Sequence, residues 1–288
     1  MSSPRHPFPI VVSVPRSGST MLRLMLDSHP ELAIPPETGF LLSPQILAAQ
    51  HDHDLCARLI TGFPDGAPAW NDYGIDASGF LDAARHLAPT AGLADVLRLF
   101  YATYAERHAK KRTGDKTPLY VTAMPTVASV LPEARFIHIV RDGRDVALSW
   151  SKTWFAPSRD LAVLVAQWSA MVREARREAP AAKYLEIRYE DLVRTPETVL
   201  RRVCAFIDLD YTDRMLDYPD RAAGRLAEHQ ARWASDGTLL VSQPDRFHQQ
   251  WRTTRPPLEE RIGVWRTEMS PADLASCNQA AAGLLDDA

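Results

Sequence analysis

What this chain has little of narrows its character first. It has three cysteines in 288 residues, Cys56, Cys204 and Cys277. They are scattered and odd in number, with neither the pairing of a disulfide framework nor the close spacing of a zinc site, and they point to a reducing compartment. Charge of one sign is also lacking: 33 basic residues against 36 acidic ones leave a net charge of −3. Nothing in that balance draws the chain to nucleic acid or to an anionic membrane, so an anion site would have to be local. No hydrophobic run approaches the roughly 20 residues of a membrane span. The apolar run near the N-terminus, about five residues, is too short for a signal segment. The expectation is a cytoplasmic protein with no membrane span and no nucleic-acid partner. Repeats and low-complexity linkers are missing too. With 45% hydrophobic residues, the chain can build one sizeable α/β core, and a single domain over 1–288 is expected.

One further absence concerns a motif. From Ile10 to Pro30 the sequence reads IVVSVPRSGSTMLRLMLDSHP. β-Branched residues run into Pro15-Arg16-Ser17-Gly18-Ser19-Thr20, and an apolar helical pattern follows. Strand, tight loop and helix form the layout of a phosphate-binding loop, since unpaired N–H groups and a partial positive charge collect at the helix start. The Gly-x-x-x-x-Gly-Lys-Ser/Thr signature of nucleoside-triphosphate enzymes is missing, and with it the lysine and the magnesium-binding hydroxyl. In their place stand one glycine, which lets the backbone approach closely, three hydroxyls from Ser17, Ser19 and Thr20, and the fork of Arg16. Taken alone, the stretch also reads as a plain strand–turn–helix joint with a serine cap.

The rest of the chain alternates strands and helices. Strands are expected at Ile10–Val14, Arg112–Asp115, Phe136–Val140 and Lys183–Ile187. Helices are expected at Ser19–Ser28, Pro118–Leu131, Asp145–Trp150, Leu161–Ala179, Pro196–Ile207, Leu258–Trp265 and Pro271–Leu285. Phe136–Val140 is a continuous apolar run bounded by charges, which suits a central parallel strand buried on both faces. From Phe40 to about Ala109 the pattern is helical around a loop at Gly62–Gly79, and this insertion is expected to form a substrate cap. Residues 246–257 read as loop. The fold expected is α/β: a P-loop-like three-layer arrangement, with a central parallel sheet flanked by helices and a helical cap.

VPRSGSTMLRLMLDSHPEL, then PPET, then FIHIVRDGRDVALSW, together resemble the sulfotransferases that use 3′-phosphoadenosine 5′-phosphosulfate (PAPS). The likeness is to the branch holding the tyrosylprotein enzymes and bacterial small-molecule and polyketide-tailoring enzymes. It runs from the first loop through RYEDL at 188–192 to the Arg-Pro…Trp tail at 255–265. The resemblance implies that Arg16, Ser17, Gly18, Ser19 and Thr20 hold the 5′-phosphosulfate. It implies that Arg141 and Ser149, eight positions apart, hold the 3′-phosphate, that Tyr189 lies near the adenine, and that Arg255 sits on a loop closing over the nucleotide. Gln249 and Gln250 stand near positions where the tyrosylprotein branch has serines. Read without the resemblance, Arg141 could as well pair with Asp142 or Asp145, and Tyr189 could be a core tyrosine.

For the chemistry, the resemblance implies Glu37 as the base that takes the acceptor's proton, stiffened by Pro35-Pro36 and aided by partial burial. It implies Lys116 and Arg16 as the cations on the departing phosphate, with no metal and with 3′-phosphoadenosine 5′-phosphate (PAP) as the product. Glu37 could otherwise be a helix-start carboxylate, and Lys116 a surface lysine. His138 is expected in the core, His29 in a structural role, and His51 and His53 in solvent. The aromatic insertion (Phe63, Trp70, Tyr73, Phe80) points to a partly apolar small-molecule acceptor, and a homodimer stays open. An ATP-dependent phosphotransferase and a non-catalytic nucleotide-binding protein are the alternatives.

Overall fold

The computed structural model describes residues 6–286; residues 1–5 and 287–288, the two ends of the expected domain, lie outside it. β1 (Phe8–Val12) leads through a tight loop into α1 (Ser19–Asp27), followed by β2 (Leu32–Ala33). The insertion carries α2 (Pro44–Ala48), α3 (His53–Thr61), α4 (Ala77–Arg85) and α5 (Leu93–Arg107). Then come β3 (Arg112–Thr113), β4 (Asp115–Lys116), α6 (Met124–Val130), β5 (Ala134–Val140), α7 (Gly143–Trp150) and α8 (Leu161–Glu178). β6 (Tyr184–Arg188), α9 (Tyr189–Arg194) and α10 (Pro196–Phe206) complete the sheet region. The C-terminal part holds α11 (Pro219–Leu226), a hairpin of β7 (Arg232–Trp233) and β8 (Leu239–Val241), α12 (Gln243–His248), α13 (Trp265–Glu268) and α14 (Pro271–Ala281).

Four strands form one parallel sheet in the order β4-β1-β5-β6. β5 pairs along its length with both neighbours, Phe136 lying opposite Ile10 on one side and Tyr184 on the other. Alternate residues of β1 and β5 feed two apolar cores. Val12, Phe136 and Val140 face the core that contains Val146 of α7 and Trp168 of α8. Val11, Ile137 and Ile139 face the core that contains Leu22 of α1 and Leu200 of α10. Helices therefore cover both faces, as the apolar runs predict. The chain leaves β1 for β4 on one side and continues to β5 on the other. The carboxyl ends of β1 and β5 are thus where an open parallel sheet offers a ligand crevice.

Several boundaries differ from expectation for local reasons. Pro118–Leu131 is not one helix: a 3-10 turn at Pro118–Thr122 precedes α6, which restarts at Met124-Pro125. Pro125 lacks the N–H that a helix running through would need, and sits instead in a first turn. Residues 246–257, read as loop, contain the end of α12 and a 3-10 turn at Trp251–Thr254. α12 is capped by Ser242, whose side chain accepts from the Asp245 N–H, with Pro244 in the first turn. Conversely, Leu258–Trp265 holds only a 3-10 turn at Glu259–Arg261, and Gly263 adopts a positive φ before α13. Among the described residues no helix is long and apolar enough to cross a membrane.

The aromatic insertion is a core, not an open acceptor surface. Trp70, Tyr73 and Phe80 are buried, with ring centroids 4.9–6.4 Å from that of Phe100 or of one another. Phe63 packs edge-on to Phe40 at 5.8 Å. A helical lobe outside the sheet needs apolar mass of its own, and these rings supply it. His138 is fully buried, with Nδ1 2.6 Å from the Tyr184 hydroxyl, and burial pushes its imidazole down to about 4. His29 bonds the Asp210 carbonyl through Nε2 at 2.8 Å, a structural role as expected.

A buried ionic cluster ties α11 to α1 and α5. Arg225 approaches the Asp27 carboxylate to 2.7 Å and donates to the Tyr104 hydroxyl at 2.6 Å. Burial works to raise the Asp27 pKa, but Arg225, Lys110 and Arg23, with the Ile34 N–H, outweigh it and hold the carboxyl below its ordinary value. Arg225→Met should remove the nearest cation from that buried charge, leaving Lys110 at 3.6 Å, and cost about 3 kcal/mol in urea unfolding. The double variant Arg225→Met/Asp27→Leu should cost less than the single one. A single variant as stable as the parent would remove the cluster's structural role.

Candidate active site

The loop after β1 is held in a strained form. Arg16, a non-glycine residue, has a φ of 73°, and Gly18 has a φ of 98°. Gly18 is the residue before α1, and no side chain caps that helix; its first turn carries no acidic residue either. The serine-capped joint is therefore not what forms. The N–H groups of the first turn stay open to an external anion. A Cβ on Gly18 would lie 2.5 Å from a Tyr189 ring carbon, so only glycine lets the loop pass under that ring.

The two expected anion motifs meet. Arg16 Nε donates to Ser149 Oγ at 3.2 Å, and Arg141 Nη1 reaches the Arg16 carbonyl at 3.5 Å. The Arg141 guanidinium also lies 4.5 Å from the Tyr189 ring centroid and 3.4 Å from Asp145. Arg141 thus makes the ion pair and lines the cleft; the two readings are compatible. Asp145 also accepts from the Gly263 N–H, through the oxygen that faces Arg141, and from the Trp265 N–H through the other. Arg16, Gly18, Ser19, Thr20, Arg141, Ser149 and Tyr189 all line one cleft, while Ser17 is buried beneath it. Ser17 Oγ and Arg141 Nε are buried without a hydrogen-bond partner.

The sequence reading missed two of the cleft's cations. Arg252 and Arg261 line it, as do Tyr218, Gln249 and Gln250. Arg255 does not: its guanidinium sits over the Trp251 ring, 4.9 Å from the centroid, while its N–H donates to the Arg252 carbonyl at 3.2 Å and its carbonyl accepts from the Tyr218 hydroxyl at 2.6 Å. Arg252 also lies near the Trp251 ring, 5.2 Å from its centroid, yet it lines the cleft and bears on the Arg16 charge. Burial, then the like charges of Arg141 and Arg252, lower the Arg16 pKa from its ordinary value. Four guanidiniums around one cleft in a chain of net charge −3 make a strongly local field for an anion.

Glu37 and Lys116 form a second group that does not line this cleft. Lys116, the last residue of β4, lies opposite Val11 of β1, so it stands at the same carboxyl edge as the loop. Its ammonium is buried and donates to Glu37 Oε2 at 3.2 Å, so it is no surface lysine. The Glu37 side chain is 47% exposed, which is less burial than the sequence reading anticipates. What fixes it is its backbone. Thr117 Oγ1 accepts from the N–H groups of Thr38 and Gly39, each at 3.2 Å, and Thr38 Oγ1 donates to buried Asp115 at 2.6 Å. Tyr101 also donates to Asp115, at 2.5 Å. Burial raises the Asp115 pKa against the pull of those donors. Tyr73 Oη donates to the Glu37 carbonyl at 3.1 Å.

His229 is a further residue that sequence did not single out. It is buried, its Nδ1 has no partner, and burial, then Arg246, Arg23 and Lys116, push its imidazole well below the usual range. His51 is exposed and His53 half-buried; among the described residues no group of three or more His, Cys, Asp or Glu is placed to hold a metal.

Comparison with known proteins bears on this arrangement. Residues 7–213 match the profile of the Sulfotransferase family. A putative protein-tyrosine sulfotransferase of Caenorhabditis briggsae is 26% identical over 215 residues, which is 72% of this chain and 68% of that protein. The nodulation protein NoeE of Sinorhizobium fredii is 26% identical over 240 residues, 73% of this chain but only 52% of its own length. The chain spans about half to two thirds of these relatives. Among solved structures, the sulfotransferase domain from the curacin biosynthetic pathway superposes with a TM-score of 0.64 at 20% identity, covering 98% of each chain. The sulfotransferase domain of the Synechococcus PCC 7002 olefin synthase gives 0.61 at 23%, covering 99% of this chain and 96% of its own. A mouse sulfotransferase complexed with PAP gives 0.51 at 14%, covering 96% and 84%. At these identities the superpositions speak for the fold. The profile match is what decides membership: it runs from β1 past α10, and by it the chain belongs to the sulfotransferase family, whose enzymes draw the sulfo group from PAPS.

Proposed function

We propose that this chain transfers a sulfo group from PAPS to a hydroxyl or amine of a small-molecule acceptor, with Glu37 as the general base. The observation that carries the reading is the junction of Arg16 and Ser149. It brings the loop read as the phosphosulfate holder and the arginine read as the 3′-phosphate holder to one cleft, which supports a donor with phosphates at both its 5′ and 3′ ends. The buried, unpartnered Ser17 Oγ and Arg141 Nε, and the uncapped start of α1, are donors that fit such an anion. Bound there, PAPS supplies an activated sulfo group on a phosphate leaving group.

The chain's own residues would do the rest. Arg16, Ser19, Thr20 and the first N–H groups of α1 hold the 5′ end, and Arg141 with Ser149 holds the 3′-phosphate. Tyr189, braced by Arg141 and Gly18, borders the base. Glu37 takes the proton of the incoming hydroxyl. Lys116, held against Glu37 at the sheet edge, is a fixed cation near developing negative charge, and it works without rearrangement because it is already buried and in place. Arg252 and Arg261 take the phosphate-facing role that the sequence reading gave to Arg255. The acceptor class stays a proposal of this reading, as do a single domain and a cytoplasmic setting.

Three outcomes are expected. Glu37→Gln should lower turnover, read as PAP release from PAPS across a panel of phenols and alcohols, by about 10²–10⁴-fold. Its calorimetric affinity for PAP should stay within twofold, about 0.4 kcal/mol; near-full activity would remove the base assignment. Arg141→Ala should weaken PAP binding by about 10–100-fold, and binding of adenosine 5′-phosphosulfate much less. Equal losses for both nucleotides would remove the 3′-phosphate role. Gly18→Ala should weaken PAP binding through the Tyr189 clash. Gly66→Ala, at a φ of 78° with open space beyond, carries similar backbone strain and should leave PAP binding unchanged.

A further inference from the structure

None of the roles above uses Asp72, yet it is among the most heavily engaged carboxylates in the molecule. It lies in the insertion, within the 3-10 turn Trp70–Tyr73, and is 3% exposed. Four donors converge on it: the Gln230 N–H at 2.9 Å, Arg232 Nη2 at 2.7 Å, and Arg246 through Nη1 and Nη2, both at 2.9 Å. Arg246 binds as a two-pronged fork, the geometry that gives an arginine–carboxylate pair both strength and direction.

Its connections lead to both halves of the site. On the donor side, Arg246 is in the last turn of α12, and three residues on the Gln249 carbonyl accepts from Arg16 Nη2 at 3.4 Å. Further along the same segment, the Arg261 carbonyl accepts from Arg141 Nη2 at 2.6 Å. Two backbone carbonyls of segment 243–261 are thus seated on the arginines that would grip phosphates. The cleft beneath measures about 140 Å³, short of the roughly 300 Å³ of a small ligand site. A phosphate that takes these arginines displaces the two carbonyls. On the acceptor side, Tyr73, the residue after Asp72, holds the Glu37 carbonyl. On a third side, Gln230 follows His229.

We propose that Asp72 is a positioning residue that couples the seating of segment 243–261 on the donor to the position of the Glu37 loop. A buried carboxylate cannot lose its guanidinium partners without stranding charge on both sides. α12 and the turn at 70–73 therefore move together, and the Tyr73 hydroxyl passes that movement to Glu37. The coupling deepens the reading of Glu37 as the base and rests on it for its catalytic meaning. Asp72 itself touches no reacting atom.

Hydrogen exchange with and without saturating PAP tests the coupling. In the parent protein PAP should slow amide exchange in 243–261 and also in 34–39. In Tyr73→Phe, protection of 243–261 should persist while protection of 34–39 falls at least fivefold; Asp72→Asn should behave alike. Should Asp72→Asn fail to fold, Arg246→Gln, which leaves Arg232 on the carboxylate, should give the same split. A parent protein whose 34–39 segment does not respond to PAP overturns the coupling. So does a Tyr73→Phe protein that keeps full protection there. The readout needs no turnover, so an active Glu37→Gln enzyme would remove the base while leaving the coupling intact.

Discussion

Everything in the proposed site depends on four arginines gathered around one cleft, Arg16 and Arg141 just past the carboxyl ends of β1 and β5, and Arg252 and Arg261 on the C-terminal segment. Like charges at such a spacing repel, and burial of Arg16 sharpens the repulsion. The fold holds them there by other means. The sheet brings Arg141 out of β5 beside the loop that leaves β1, and Asp145 balances one charge. Backbone carbonyls of the C-terminal segment take up others. The balance is incomplete without an outside anion, and the uncapped start of α1 adds its partial charge to the same point. A donor that carries phosphates at both ends answers that imbalance in one molecule.

The chemistry is built beside this cluster, not within it. β4 pairs with β1, which sets Lys116 at the same edge as the loop after β1, and the Asp115–Thr38–Thr117 bonds tether the residues that follow Glu37 to the same strand. Glu37, the proposed base, is thus held through its neighbours' backbone while its carboxylate stays half exposed. Donor grip and base placement rest on adjacent strands, and the C-terminal segment touches the former directly and the latter through the insertion. The helical lobe has spent its aromatic residues on its own core around Phe100. The acceptor is therefore not to be sought on those rings. Exposed apolar residues lie elsewhere, among them Trp154 and Phe155 after α7 and Trp233, Leu239 and Leu240 on the β7–β8 hairpin.

Much of this was legible in the chain order of residues, and the physical reason is locality. The strand–loop–helix at 10–28 and the strand–helix at 136–150 each carry their signal in consecutive residues: apolar runs, a glycine where φ is positive, an arginine leaving a strand. Those local signals marked the two loops, and the family resemblance then joined Arg16, Arg141, Ser149 and Tyr189 in one cleft before any coordinates. Arg252, Arg261 and His229 could not, because their relevance comes from the return of the C-terminal segment over the sheet, which no local pattern records. Arg255 was singled out because the resemblance implies a basic residue on a closing loop there, and nothing local in TTRPP marks which of the neighbouring arginines reaches the cleft. The capped helix at 243–248 did have a local mark, a serine three residues before an aspartate with a proline between them. Asp72 looked like one more loop carboxylate, since its partners lie about 160 residues or more away.

The central claim is that the arginine cluster is built for a 3′-phosphorylated adenine nucleotide carrying a 5′ anion. Calorimetric titration of the protein with PAP, and separately with ATP and magnesium, tests it most directly. The account predicts binding of PAP at least 100-fold tighter than that of ATP with magnesium. Equal affinity, or a preference for ATP with magnesium, would contradict it.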